Sequence, residues 1–131
     1  MITTADIGNM LFLHCKQLQM CDVYQKGNVP LGKVEKERIV VCAKSLSEDT
    51  EWEKCYVEIN YLVPDRDEQD NENLIRLEEV ERVLKEYFKS QVIEFKSNWC
   101  FVSWESIEKL HDNGLNSAYI NVRVLVERLN I

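Results

Sequence analysis

The sequence predicts an α+β fold of order α-β-β-α-β-β, with two helices on one face of a four-stranded, mainly antiparallel sheet. Three observations predict it. Residues 54–63, KCYVEINYLV, are apolar at every odd position, Cys55, Val57, Ile59, Tyr61 and Val63, and mixed at the even ones. A period of two over ten residues is a strand with one face on a core. Two other stretches, near the N-terminus and over residues 74–89, repeat their apolar residues at helical spacing. Stripes of this kind are buried most economically by laying both helices on one sheet.

In chain order, Thr3 or Thr4 is placed to cap a first helix, with Asp6 in the first turn where the macrodipole favours a carboxylate. Ile7, Leu11, His14 and Leu18, with Met10 beside them, make its stripe, which runs to about Cys21. Residues 23–37 contain Gly27, Asn28, Pro30 and Gly32 and read as a flexible arm or loop. Residues 38–44, RIVVCAK, are β-branched and apolar on both faces, which fits a strand covered on both sides. Residues 45–50 turn the chain and Trp52 leads into the organising strand, so the two strands form a hairpin that Pro64 ends.

Residues 65–73, DRDEQDNEN, are an acidic loop that ends on Asn73, a cap for the second helix. Leu74, Leu77, Val80 or Glu81, Leu84 and Phe88 trace that helix's core stripe, and Glu78–Arg82 and Glu81–Lys85 are i,i+4 pairs of favourable polarity. A third strand region begins at 92–95 and continues or returns over 99–104. Residues 105–112 fit one short helical turn, Asn113-Gly114 a tight turn, and 118–129 the last strand. All 131 residues fit a single domain.

Sixteen basic against twenty-three acidic residues give a net charge of −7, which argues against nucleic acid as a partner. No apolar run approaches the roughly 18 residues of a membrane span, and no secretory signal is evident. The chain therefore reads as cytosolic. Five cysteines without a C-x-x-C pair read as reduced thiols packed as small hydrophobes.

Candidate chemistries fall on their own spacing. Residues 27–33, GNVPLGK, match G-x-x-x-x-G-K, but Val34 stands where a P-loop needs Ser or Thr, and a β-rich run follows instead of a helix. A calcium loop starting at Asp65 has Asp70 where glycine is required and Arg76 where a bidentate Glu is required. His14 and His111 lack zinc spacing, and no cysteine stands out as a nucleophile. No catalytic, cofactor or metal residues are assigned.

The surplus is apolar. Trp99 and Phe101 point one way, while Cys100, Val102 and Trp104 point the other, so both sheet faces carry greasy side chains. Either the core is sandwich-like or the 27–32 arm covers the second face, or a neighbouring subunit buries it. Trp99, Phe101 and Trp104, with the acidic residues Asp65, Asp67, Glu68 and Asp70, form the candidate interaction surface.

A helix over 4–20 is followed by VYQKGNVPLG at 23–32, RIVV at 38–41 and YVEINYLVPD at 56–65. NLIRLEEVER at 73–82 and YINVRV at 119–124 complete the series. This layout, over most of the chain, resembles small phage and prophage morphogenesis proteins of the tail-terminator and head–tail joining type. The resemblance implies a non-enzymatic homo-oligomeric ring, often a hexamer, with no cofactor. It implies tail-tube and head-connector proteins as partners. It also implies a place in the bacterial host cytoplasm during assembly and then in the virion. The alternative from another class is a small cytosolic ligand-binding or regulatory dimer.

Overall fold

The computed structural model describes residues 3–44, 54–67, 69, 71–95 and 98–128. The elements run α1 (Thr4–Gln17), β1 (Asp22–Gln25), β2 (Arg38–Ala43), β3 (Lys54–Pro64), α2 (Leu74–Phe88), β4 (Ser90–Phe95), β5 (Asn98–Asp112) and β6 (Ser117–Arg128), with a 3-10 turn at Asn113–Leu115. The sheet has six strands in the order β1-β2-β3-β6-β5-β4 and curls into a half-barrel. Only β1 and β2 are parallel; every other neighbouring pair is antiparallel.

Both helix starts are set by local chemistry. Thr3 Oγ1 accepts the Asp6 amide at 3.1 Å, and Asp6 Oδ2 accepts the Thr3 amide at 2.9 Å, a reciprocal cap that satisfies two otherwise orphaned donors. Asn73 Oδ1 accepts the Arg76 amide at 3.2 Å and opens α2. The central pair, β3 with β6, runs from Lys54↔Glu127 to Pro64↔Ser117, and its alternate residues Val57, Ile59, Tyr61, Val122 and Val124 are fully buried. Ile39 and Val41 of β2 and Cys100 and Val102 of β5 share that face by register. Ile7, Met10 and Leu11 of α1 and Leu77, Val80, Leu84 and Phe88 of α2 join them in one core cluster. Each such aliphatic or aromatic side chain contributes about 1.5–3 kcal/mol on burial, so this single face holds both helices.

The α+β class stands, but the four-stranded sheet of order α-β-β-α-β-β does not. The chain repeats helix–strand–strand–strand twice, and β3 and β6 meet at the middle of a mixed six-stranded sheet. One strand was hidden by its length: β1 has four residues, too few to show a period, and it exists because Val23 tucks under α1 while β2 supplies the ladder. Another arose because 90–95 and 98–112 are two strands of a hairpin, Ser90↔Ser103 to Phe95↔Asn98.

The helical turn expected at 105–112 is the second half of β5. A bulge at Glu105 leaves Trp104 opposite Val124 and Ser106 opposite Arg123. The extra residue puts Trp104 and Ile107 on the same face three positions apart, with His111 four further on, and that spacing imitates a helix. The turn at 45–50 and the approach at Trp52 lie outside the described residues.

Candidate interaction surface

The helices cover one face of the sheet, and the other face is divided into three zones. At the β4–β5 end, Val92 pairs with Phe101 and Glu94 with Trp99. Val92 is 58% and Trp99 42% exposed, and Phe101 is half-buried between them. β4 is the last strand of the sheet, so this apolar patch adjoins a row of unpaired backbone groups. Trp104 is not part of it: its side chain lies on the helix face, packed against the core cluster.

The middle zone is polar and paired across strands. Asn121 Nδ2 donates to Asn60 Oδ1 at 2.7 Å and to Glu58 Oε2 at 3.4 Å, Lys44 Nζ lies 3.3 Å from Glu58, and the Arg123 guanidinium sits 4.6 Å above the Tyr56 ring. The third zone is closed by the segment between β1 and β2. The Val34 amide donates to the Leu115 carbonyl at 2.9 Å, Val34 is buried, and Leu62 is 6% exposed although it faces away from the helices. The arm thus covers one end of the second face, and the β4–β5 end stays open.

Asp65 and Asp67, the two described acidic residues of the candidate surface, stand in different environments. Asp67 is exposed and organises its own loop, with Oδ1 accepting the Gln69 amide at 2.8 Å and Oδ2 accepting Asn71 Nδ2 at 2.7 Å. The Asn71 side-chain hydrogen bond, then the backbone bonds, hold its carboxyl below the usual range. The Asp65 side chain is instead fully buried and accepts from His111 Nε2 at 2.7 Å, while its Oδ1 is buried without a hydrogen-bond partner. Glu68 and Asp70 lie outside the described residues.

Two groupings of polar side chains had no signal in the sequence, because their members lie 39 and 46 positions apart. One is Asp65 with His111. The other is Arg76 with Glu37, where Tyr61 donates to the Glu37 carboxylate and lies 3.3 Å from Arg76 Nη2. Burial, then the Glu37 hydrogen bond, raises the Tyr61 hydroxyl far above its ordinary value, so it is a fixed donor.

Among the described residues, no group of three or more His, Cys, Asp or Glu side chains is placed to hold a metal. None of the five cysteines is in a disulfide. Burial pushes the Cys21 thiol up to about 11, away from a thiolate nucleophile. Gly27 and Gly32 take positive φ, and the chain then enters β2, so no helix N-terminus meets a phosphate there. No helix of the described residues is long and apolar enough to cross a membrane.

No family model matches this sequence, and no curated protein matches it. A solved structure known only by a serial identifier, which states no activity, is similar over 97% of this chain and 93% of its own, with a TM-score of 0.65 and 11% identity. At that identity the likeness shows a shared fold and nothing about activity.

Proposed function

We propose that this chain is a non-enzymatic structural subunit of a phage or prophage tail or neck, which assembles as a ring that caps the tail or joins head to tail. The observation that carries the self-assembly is the patch of Val92, Trp99 and Phe101 beside the open edge of β4. Exposed aromatic and aliphatic side chains beside a strand edge are the chemistry by which copies of one chain join edge to edge. The phage assignment itself rests on the layout of sequence segments from the first helix to YINVRV at 119–124.

Light scattering on the eluting protein tests the assembly. The wild type is expected as a discrete oligomer and Trp99→Glu as a folded monomer. A wild type that remains a monomer at the highest soluble concentration, alone and with tail tubes, removes the ring. Genes for capsid, portal or tail-tube proteins next to its own would support the phage assignment, and a setting among metabolic genes would oppose it. The second reading, a small ligand-binding or regulatory dimer, has one observation in its favour, a cavity beside Arg38.

A further inference from the structure

Arg38 opens β2 and stands opposite Leu62, on the face away from the helices. It is 8% exposed. Its Nη1 reaches the Pro30 carbonyl at 3.4 Å, and its Nε is buried with no acceptor. Among the described residues, no carboxylate oxygen lies within ion-pair distance of its guanidinium. A buried guanidinium without a counter-charge is costly, and the Nη donors left over beside the Pro30 bond suit an anion.

Arg38 borders a cavity of about 220 Å³. Its apolar lining comes from Val29 of the arm, Val40, Leu62 and Leu115. Asn60 and Tyr119 add polar groups beside Arg38. Burial, then the charges of Asp112, Glu108 and Glu58, raises the Tyr119 hydroxyl, which keeps it a donor. Asp112 also borders the cavity, and its Oδ1 is engaged by the Leu115 amide at 3.2 Å.

We propose that this cavity binds a small aliphatic carboxylate, its carboxylate on Arg38 and its short branched tail among Val29, Val40, Leu62 and Leu115. Asp112 on the wall repels a monoanion less than it would a phosphate dianion, and the lining holds no cation besides Arg38. The cavity is below the roughly 300–1,000 Å³ of sites for larger ligands, which limits the tail to a few carbons. This site stands independently of the ring reading.

The test is titration of the full chain with sodium isovalerate, followed by amide NMR shifts, in the Trp99→Glu background so that binding is read apart from assembly. Expected are saturable shifts centred on Val40, Leu62 and Tyr119. Neutral isovaleramide should bind about tenfold or more weakly, as befits loss of a charge-assisted hydrogen bond. Arg38→Met should abolish the response, and Val40→Phe, which fills the cavity, should do so by itself if Arg38→Met does not fold. Equal responses to acid and amide, or a response that survives either variant, overturn the site. Shifts at these amides that follow protein concentration and not isovalerate also overturn it, because an acidic side chain of a second copy would then occupy the cavity. Should wild-type assembly fail while isovalerate still binds, the ring falls and the site stands.

Discussion

Arg76 and Glu37 meet as a bidentate pair, Nε to Oε2 and Nη2 to Oε1, both at 2.8 Å, across 39 positions of sequence. The pair joins the first turn of α2 to the residue before β2, and the buried Tyr61 hydroxyl closes it from below. It is a joint between the two halves of the chain, made of charge-assisted bonds at the rim of an apolar core.

Removing one partner should therefore cost more than a surface ion pair does. Arg76→Ala is expected to destabilise by about 2–3 kcal/mol, because it leaves a half-buried carboxylate facing Tyr61 alone. Glu37→Gln, which keeps an acceptor for Tyr61, should cost about 1 kcal/mol less. Denaturant unfolding measures both.

The same pair sets a pH dependence. Burial raises the Glu37 carboxyl, but the Arg76 and Tyr61 hydrogen bonds outweigh it, and the net shift is below the ordinary value of 4.5. A depressed folded value means that the stability is present above the unfolded value and is lost as pH falls through the folded one. The stability gap between wild type and Glu37→Gln should be constant above about pH 5.5 and should close below pH 4.5. A gap that widens on acidification would contradict the geometry.

The two tryptophans of β5 should respond oppositely to the same substitution. Trp104→Glu places a charge against the core cluster and is expected to cost about 3 kcal/mol or more in unfolding free energy. Trp99→Glu, on an open face, should change stability by less than about 1 kcal/mol. Equal losses would mean that both rings belong to the core of one subunit.

Glu105 offers a test of register. Deleting it leaves Trp104 opposite Val124 and Ser106 opposite Arg123 in regular alternation, so the variant should fold at a cost below about 2 kcal/mol. Deleting Ser103 instead turns Trp104 outward and Glu105 inward, and should cost at least about 3 kcal/mol. Cross-strand NMR contacts between Ile107 and Val122 read the register of both.

Thiol labelling checks the core independently. Burial first, and neighbouring Cys21 second, push Cys15 up to about 12, and burial pushes Cys55 up to about 11. Neither should react with an aromatic disulfide reagent at pH 8 in the native state, and both should react at once in guanidinium. Rapid native labelling of Cys15 would show that α1 detaches.

Much of the fold was legible wherever one face of an element carries the burial by itself. Residues 54–63 alternate cleanly because β3 packs against helices on one side only. Thr3, Asp6 and Asn73 announce helix starts because capping is a contact between residues three apart. β1 was illegible because four residues carry no period, and 105–112 was misleading because a single bulged residue converts alternation into helical spacing.

Sequence alone determined the class, both helix starts, the central strands and their inward faces, since these follow from local periodicity and capping; α1 stops at Gln17, short of the expected Cys21, and Leu74 of the expected core stripe is exposed. Tertiary structure decided the rest. It packed Trp104 against the core and left Trp99 open, paired Asp65 with His111 and Glu37 with Arg76, and folded the arm over Leu62 beside an Arg38 whose Nε has no acceptor. The physical reason is distance along the chain. Contacts between residues tens of positions apart depend on where the curled sheet carries them, and no local pattern encodes that.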